Sequence, residues 1–141
     1  MKEGPNPGVG LAILRIVIGI IFLAHGGQKL TGGLEGTIGF FGQLGIPLPT
    51  LAAWFIALLE TLGGVALIVG YLVTPIAVLL AIHMVMGIFL VHLSNGFWVI
   101  GPGTGGIEFN LVLAAGLLAL VFAGAGTWSL QERFQKDIQV A

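Results

Sequence analysis

The chain has 141 residues, 57% of them hydrophobic and only 8% charged, with a formal net charge of −1 and a mean hydropathy of +1.08. A soluble domain carries about 25% charged residues, so this composition excludes an ordinary water-soluble globule, and the near-neutral balance gives no footing for nucleic acid. The absence of cysteine excludes disulfides, thiol nucleophiles, cysteine-ligated zinc or iron–sulfur centres and a dithiol relay.

After a polar lead-in over 1–8, the first apolar run spans 9–31 and carries Arg15, His25, Gln28 and Lys29. At about 100° per residue, Arg15, Gly19, Phe22, Gly26 and Lys29 fall within about 80° of one another, with His25 on the flank. A cationic, glycine-lined stripe of this kind cannot face hydrocarbon and needs partner helices that supply negative charge. Ala24 and Gly26 would suit a signal peptidase. The start of the chain has no net positive charge, however, and Arg15 interrupts the apolar run, so the segment reads as a retained helix. In the connector 32–49, Leu34, Ile38 and Phe41 recur at helical spacing, which predicts a short interfacial helix.

A second span, 50–70, opens after Pro47 and Pro49. Only Tyr71, Leu72 and Val73 separate it from a third, 74–93, so these two form an antiparallel hairpin with Pro75 tolerated in the first turn. The glycine- and aromatic-rich connector 94–107 leads to a fourth span, 108–126, and 127–141 is a polar tail. Each span is about 28–35 Å long, enough for a hydrocarbon core of about 30 Å. The expected fold is an all-α integral membrane four-helix bundle, a single domain with a short interfacial segment between helices 1 and 2. Ala53 and Ala57 in the second span, and Ala115, Ala119 and Ala123 in the fourth, offer small-residue packing faces. Four spans place both termini on one side. Lys2, Arg133 and Lys136 lie there against Lys29 opposite, which puts the termini in the cytoplasm.

Polar residues inside the spans carry the functional reading. Glu60 lies near mid-membrane, where an unpaired charge costs about 2.5–3.5 kcal/mol. Arg15 is placed about 6 Å away along the membrane normal, which predicts an Arg15–Glu60 ion pair that His83, at the same depth, joins. His92 lies nine residues beyond His83 and points about 180° away on a regular helix. It reaches the same site only if the helix unwinds toward Ser94, Asn95 and Gly96. Nearer the outer boundary, His25, Gln28, Lys29, His92, Asn95, Glu108 and Asn110 form a second cluster, with Trp54, Phe97 and Trp98 at the same level. One reading is an aromatic belt with interfacial charges. The other is a pocket for a quinone or hydroquinone, in which His25, His92 and Glu108 exchange protons while Gln28, Lys29, Trp54, Asn95, Trp98 and Asn110 bind the ring and its oxygens. A haem would take His25 and His92 as axial ligands, although their spacing is not diagnostic. Three histidines and two glutamates read as buried also leave a metal open, with no ligand set assigned.

These pieces, in this order, resemble the DoxX family of small bacterial and archaeal membrane proteins over nearly the whole chain, which implies a multi-pass protein of a bacterial or archaeal cell (inner) membrane. The resemblance rests on Arg15-x3-Gly19-x2-Phe22-x2-His25-Gly26-x2-Lys29-Leu30 and on the Gly45-x-Pro47-x-Pro49 turn. It continues through Glu60-x2-Gly63-Gly64-x2-Leu67-x2-Gly70 and His92-x2-Asn95-Gly96-Phe97. Gly106, Glu108 and Gly124-x-Gly126-x2-Ser129-Leu130 complete it. Gln131 departs from the Asp that many relatives carry, a difference expected to touch only a helix cap. The resemblance implies a four-helix membrane bundle linked to quinone chemistry, either as a quinone-linked oxidoreductase subunit or as a protein conferring resistance to hydroquinones and catechols. Other readings are a non-enzymatic anchor or assembly subunit for a redox partner, and a small proton or solute transporter. The lipid bilayer, a redox partner subunit and a second copy of the chain are the partners to be weighed.

Overall fold

The computed structural model describes residues 6–102 and 104–140. Among them every regular element is helical: α1 (Pro7–Gln28), α2 (Leu34–Gln43), α3 (Pro49–Val69), α4 (Val73–Gly87), α5 (Glu108–Ala123) and α6 (Leu130–Val140). Lys2, used above for orientation, lies outside the described residues, as does the side chain of Lys136.

Helix α1 starts where the Asn6 side chain accepts the Gly8 N–H at 2.9 Å and Pro7 takes the first turn. A π turn over Lys29–Gly33 and a kink at Gly32 (φ 150°) redirect the chain into α2, the short helix expected from Leu34, Ile38 and Phe41. Helix α2 packs against α3. Gly70, at φ 75°, ends α3 with its own N–H and that of Tyr71 returning to the Ala66 carbonyl, each at 2.9 Å. That left-handed position is costly for any residue with a Cβ. The hairpin into α4 follows at once, as expected.

Helix α1 packs chiefly on α3, and α4 chiefly on α5. The α1–α3 contact is close because glycines face each other. A Cβ on Gly64 would lie 2.5 Å from the Leu23 nitrogen and 2.7 Å from the Gly19 carbonyl. Arg15, Gly19, Phe22 and Gly26 are all buried, so the stripe read from the sequence is the face turned to α3. Between the four long elements lies a core that includes Ile18, Phe22, Leu67, Leu80, Leu113 and Leu117. The opposite faces expose Ile13, Ile20, Leu62, Ile82 and Val112, as helices bathed in lipid do.

Two expectations are corrected. The fourth apolar helix stops at Ala123 rather than 126, because the chain leaves helical geometry at Gly124 (φ 86°). At about 1.5 Å per residue α5 is then about 24 Å long, shorter than α1, α3 and the continuous helical run Val73–Asn95 that contains α4. Ala115, Ala119 and Ala123 lie on its exposed face, while Asn110, Leu113, Ala114, Leu117 and Leu120 are buried. Ala53 and Ala57 on α3 are fully buried, as expected.

Candidate functional site

Arg15 and Glu60 do not pair. Gly19 abuts Gly64 and Gly26 abuts Thr61 and Glu60, so Glu60 stands level with Gly26, eleven residues from Arg15 along α1. That is about 16 Å of rise, beyond the reach of an arginine. Arg15, with no exposed surface, instead donates to five main-chain carbonyls. Nη1 reaches those of Leu67 and of Ile68 (2.7 Å), Nε that of Ala125 (3.0 Å), and Nη2 those of Trp128 (3.3 Å) and Thr127 (3.5 Å). The carbonyl ends of α3 and the loop after α5 thus converge on one guanidinium. Its planar fork of donors suits such an array, and the negative end of the α3 dipole offsets its charge.

Glu60 is 4% exposed and takes its partners from two other helices. Lys29 Nζ lies 2.6 Å from Oε2, and His83 Nε2 lies 2.9 Å from Oε1. The lysine also donates to the His25 carbonyl at 3.4 Å. Helix α1 brings Lys29 within reach because it sits one turn beyond Gly26, on the stripe facing α3. The carboxylate is therefore shared between a cation and an imidazole from opposite flanks.

This cluster forms part of the wall of a cavity of about 460 Å³. Phe22, Phe40, Phe41, Ile56, Phe109 and Leu113 supply apolar and aromatic walls, while His25, Lys29, Glu60, His83, His92 and Asn110 supply the polar groups. The sequence singled out all six, but in two separate groups, with Glu60 and His83 beside Arg15 near mid-membrane and the other four nearer the outer boundary. It did not single out Thr37, which also lines the cavity. His25 stands beside Phe109, with ring centroids 6.4 Å apart. A second, apolar hollow of about 240 Å³ lies between α2, α3 and α4, with His83 its one polar lining residue. The two hollows share Phe41, Ile56, His83, Gly87 and Val91.

The structure brings His92 to the cavity by a different route from the unwinding toward Ser94, Asn95 and Gly96 that the sequence left open. A π turn over Ile88–His92, followed by a 3-10 turn over Leu93–Asn95, interrupts α4. One extra residue in the turn makes nine positions equivalent to about eight regular steps, or about 80° of rotation instead of about 180°. His83 and His92 consequently face one cavity.

The other expected site residues lie elsewhere. Glu108 does not reach the cavity. Its Oε1 accepts the Val99 N–H at 2.7 Å and closes the 96–107 loop, where Phe97 and Trp98 carbonyls also take the N–H groups of Glu108 and Gly106. Asn95 donates to the Gly105 carbonyl at 3.3 Å, which His92 Nδ1 also contacts. Trp54 is 45% exposed on the outer face of α3, Trp98 stacks edge-on with Phe97 at 5.1 Å, and Gln28 is exposed. Thr37, Phe40 and Phe41 from α2 line the cavity without having been singled out as site residues. The helical spacing of Leu34, Ile38 and Phe41 was the available signal, and it gave the helix without its role. Among the described residues no three His, Asp or Glu side chains group as a metal-binding set.

Comparison with known proteins now bears on this arrangement. The DoxX family model matches residues 10–93. A Bacillus subtilis protein named "Putative oxidoreductase CatD" is 36% identical over 117 residues, covering 83% of this chain and 81% of its own. The Escherichia coli inner membrane protein YphA is 30% identical, covering 87% of this chain and 89% of its own. A Mycobacterium tuberculosis membrane protein is 32% identical over 95% of this chain and 85% of its own. No solved structure matches.

Proposed function

Because the chain belongs to the DoxX family of membrane proteins, we propose that it binds a hydroquinone or quinone drawn from the bilayer and serves quinone-linked redox chemistry. The observation that carries this reading is the Lys29–Glu60–His83 cluster set in the wall of an otherwise aromatic and aliphatic cavity. A flat ring with two oxygens needs this combination of apolar walls and a few convergent polar groups. The adjoining apolar hollow between α2, α3 and α4 suits a ligand that arrives from lipid rather than from water. The name of the Bacillus subtilis relative supports a redox role.

In this reading Lys29 donates a hydrogen bond to one ligand oxygen, and the Glu60–His83 pair takes a proton from a hydroxyl. Oxidation of a hydroquinone releases two electrons and two protons. We assign the protons to this pair and the electrons to a partner redox protein, since the chain has no cysteine for a dithiol or iron–sulfur relay. With both termini in the cytoplasm, as the balance of cations over the two sides favours, the Lys29 end of the cavity faces outward. The protein is then the ligand-binding membrane subunit of a redox pair.

Calorimetric titration of methylhydroquinone and methylbenzoquinone into the protein in lipid nanodiscs tests this. The expected result is saturable binding that is lost in Glu60→Gln and kept in Glu108→Gln. If neither ligand binds the unaltered protein, the proposal falls and an anchoring role for a redox partner takes its place.

A further inference from the structure

The geometry points to Asn110 as the positioning residue that turns His92 into the cavity, whatever ligand the cavity takes. Asn110 is the third residue of α5 and is 7% exposed. Its Nδ2 donates to the Met84 carbonyl at 3.3 Å, at the point on α4 just before the π turn. That carbonyl already accepts the Ile88 N–H. Asn110 thus competes for that carbonyl, the Ile88 N–H is shared with the Val85 carbonyl, and the π turn begins within the next turn of α4. Side chains that intrude on the i→i−4 ladder are a recognised cause of local distortion.

Gly87 completes the arrangement. A Cβ there would lie 2.7 Å from Asn110 Nδ2, so a side chain at this position would drive the amide off the Met84 carbonyl. Glycine on α4 and asparagine on α5 therefore act as a matched pair. The consequence is directional. His83 lies before the turn and keeps its bearing on Glu60, whereas His92 lies at its end and depends on the extra residue for its bearing. On a regular helix His92 would face about 180° from His83, away from the polar cluster.

The chain has no cysteine, so single cysteines can be introduced directly and their reaction with a water-soluble methanethiosulfonate followed in nanodiscs. His92→Cys reports the residue that turns, and His25→Cys reports the same cavity from α1. Adding Asn110→Ala is expected to slow labelling of His92→Cys about fivefold, the population shift that one lost hydrogen bond supports, and to leave His25→Cys unchanged. Gly87→Ala is expected to do the same with Asn110 in place, and deleting Phe89 to do so more strongly by removing the extra residue. Unchanged labelling of His92→Cys in all three overturns the assignment. Parallel slowing at both cysteines also overturns it, because that is what a general loosening would give. Failure of His92→Cys to react in the unaltered background, or of both Asn110→Ala and Gly87→Ala to fold, overturns it as well.

Discussion

The bundle draws two cations from one face of α1 and the π turn that follows it, and treats them in opposite ways. Arg15 is closed off, fully covered and held by five carbonyls, with no carboxylate paired to it among the described residues. Lys29 is paired with a carboxylate, keeps about a fifth of its side chain exposed and lies in the wall of a cavity. The difference follows from the chemistry of the two heads. A guanidinium offers five fixed donors and never gives up its charge, so it can tie together backbone ends that would otherwise be orphaned. An ammonium is a compact charge that shares one carboxylate with an imidazole and leaves room for a third party. One cation fastens the fold, and the other lines a cavity.

The largest effect should come from breaking the fastened side. Arg15→Leu strips donors from the Leu67, Ile68 and Ala125 carbonyls at once. The Leu67 carbonyl keeps the Gly70 N–H at 3.2 Å, but those of Ile68 and Ala125 lose their donor. Each buried acceptor left unpaired costs about 1–3 kcal/mol, so a loss on the order of 4 kcal/mol and collapse of folding in detergent are expected, read by denaturant unfolding. Arg15→Lys keeps the charge but not the fork and should remain well below the unaltered protein in stability.

The paired side should break differently. Glu60→Leu leaves Lys29 beside apolar walls, and losing one partner of a buried pair costs about 3–5 kcal/mol, here toward the lower end because Lys29 is partly exposed. Lys29→Met combined with Glu60→Leu should recover part of that loss, since no charge is then stranded. A double variant less stable than Glu60→Leu alone would contradict the pairing. Gly64→Ala sits between the two regions and pushes a methyl group into the α1 backbone. It should cost about 1–3 kcal/mol by overpacking, measured as a lowered unfolding midpoint. The smallest effect is expected at Glu108→Gln, which weakens one hydrogen bond to Val99 and should cost about 1 kcal/mol without altering ligand binding.

The contrast between the two cations was only half legible in the sequence. The stripe of Arg15, Gly19, Phe22, Gly26 and Lys29 gave the face that α1 buries, and Glu60 with His83 was recognisable because an intramembrane carboxylate must find partners. What the sequence does not encode locally is the register of α1 against α3. Glycine packing at Gly19, Gly26 and Gly64 sets that register, and it moves Glu60 from Arg15 to Lys29. The π turn at Ile88–His92 was equally hidden, because its cause sits on another helix at Asn110. Glu108 misled for a related reason: a carboxylate at a helix start near aromatic residues looks the same whether it faces a ligand or closes a loop.

All three histidines of the chain line the cavity, so isotopic labelling of histidine places reporters there and nowhere else. Titrating the ¹⁵N-histidine protein in nanodiscs with methylhydroquinone should move the His83 signal saturably, with the signals of His25 and His92 following and with no response in Glu60→Gln. Imidazole signals that stay fixed across the titration would contradict the claim that the Lys29–Glu60–His83 cluster is the binding site.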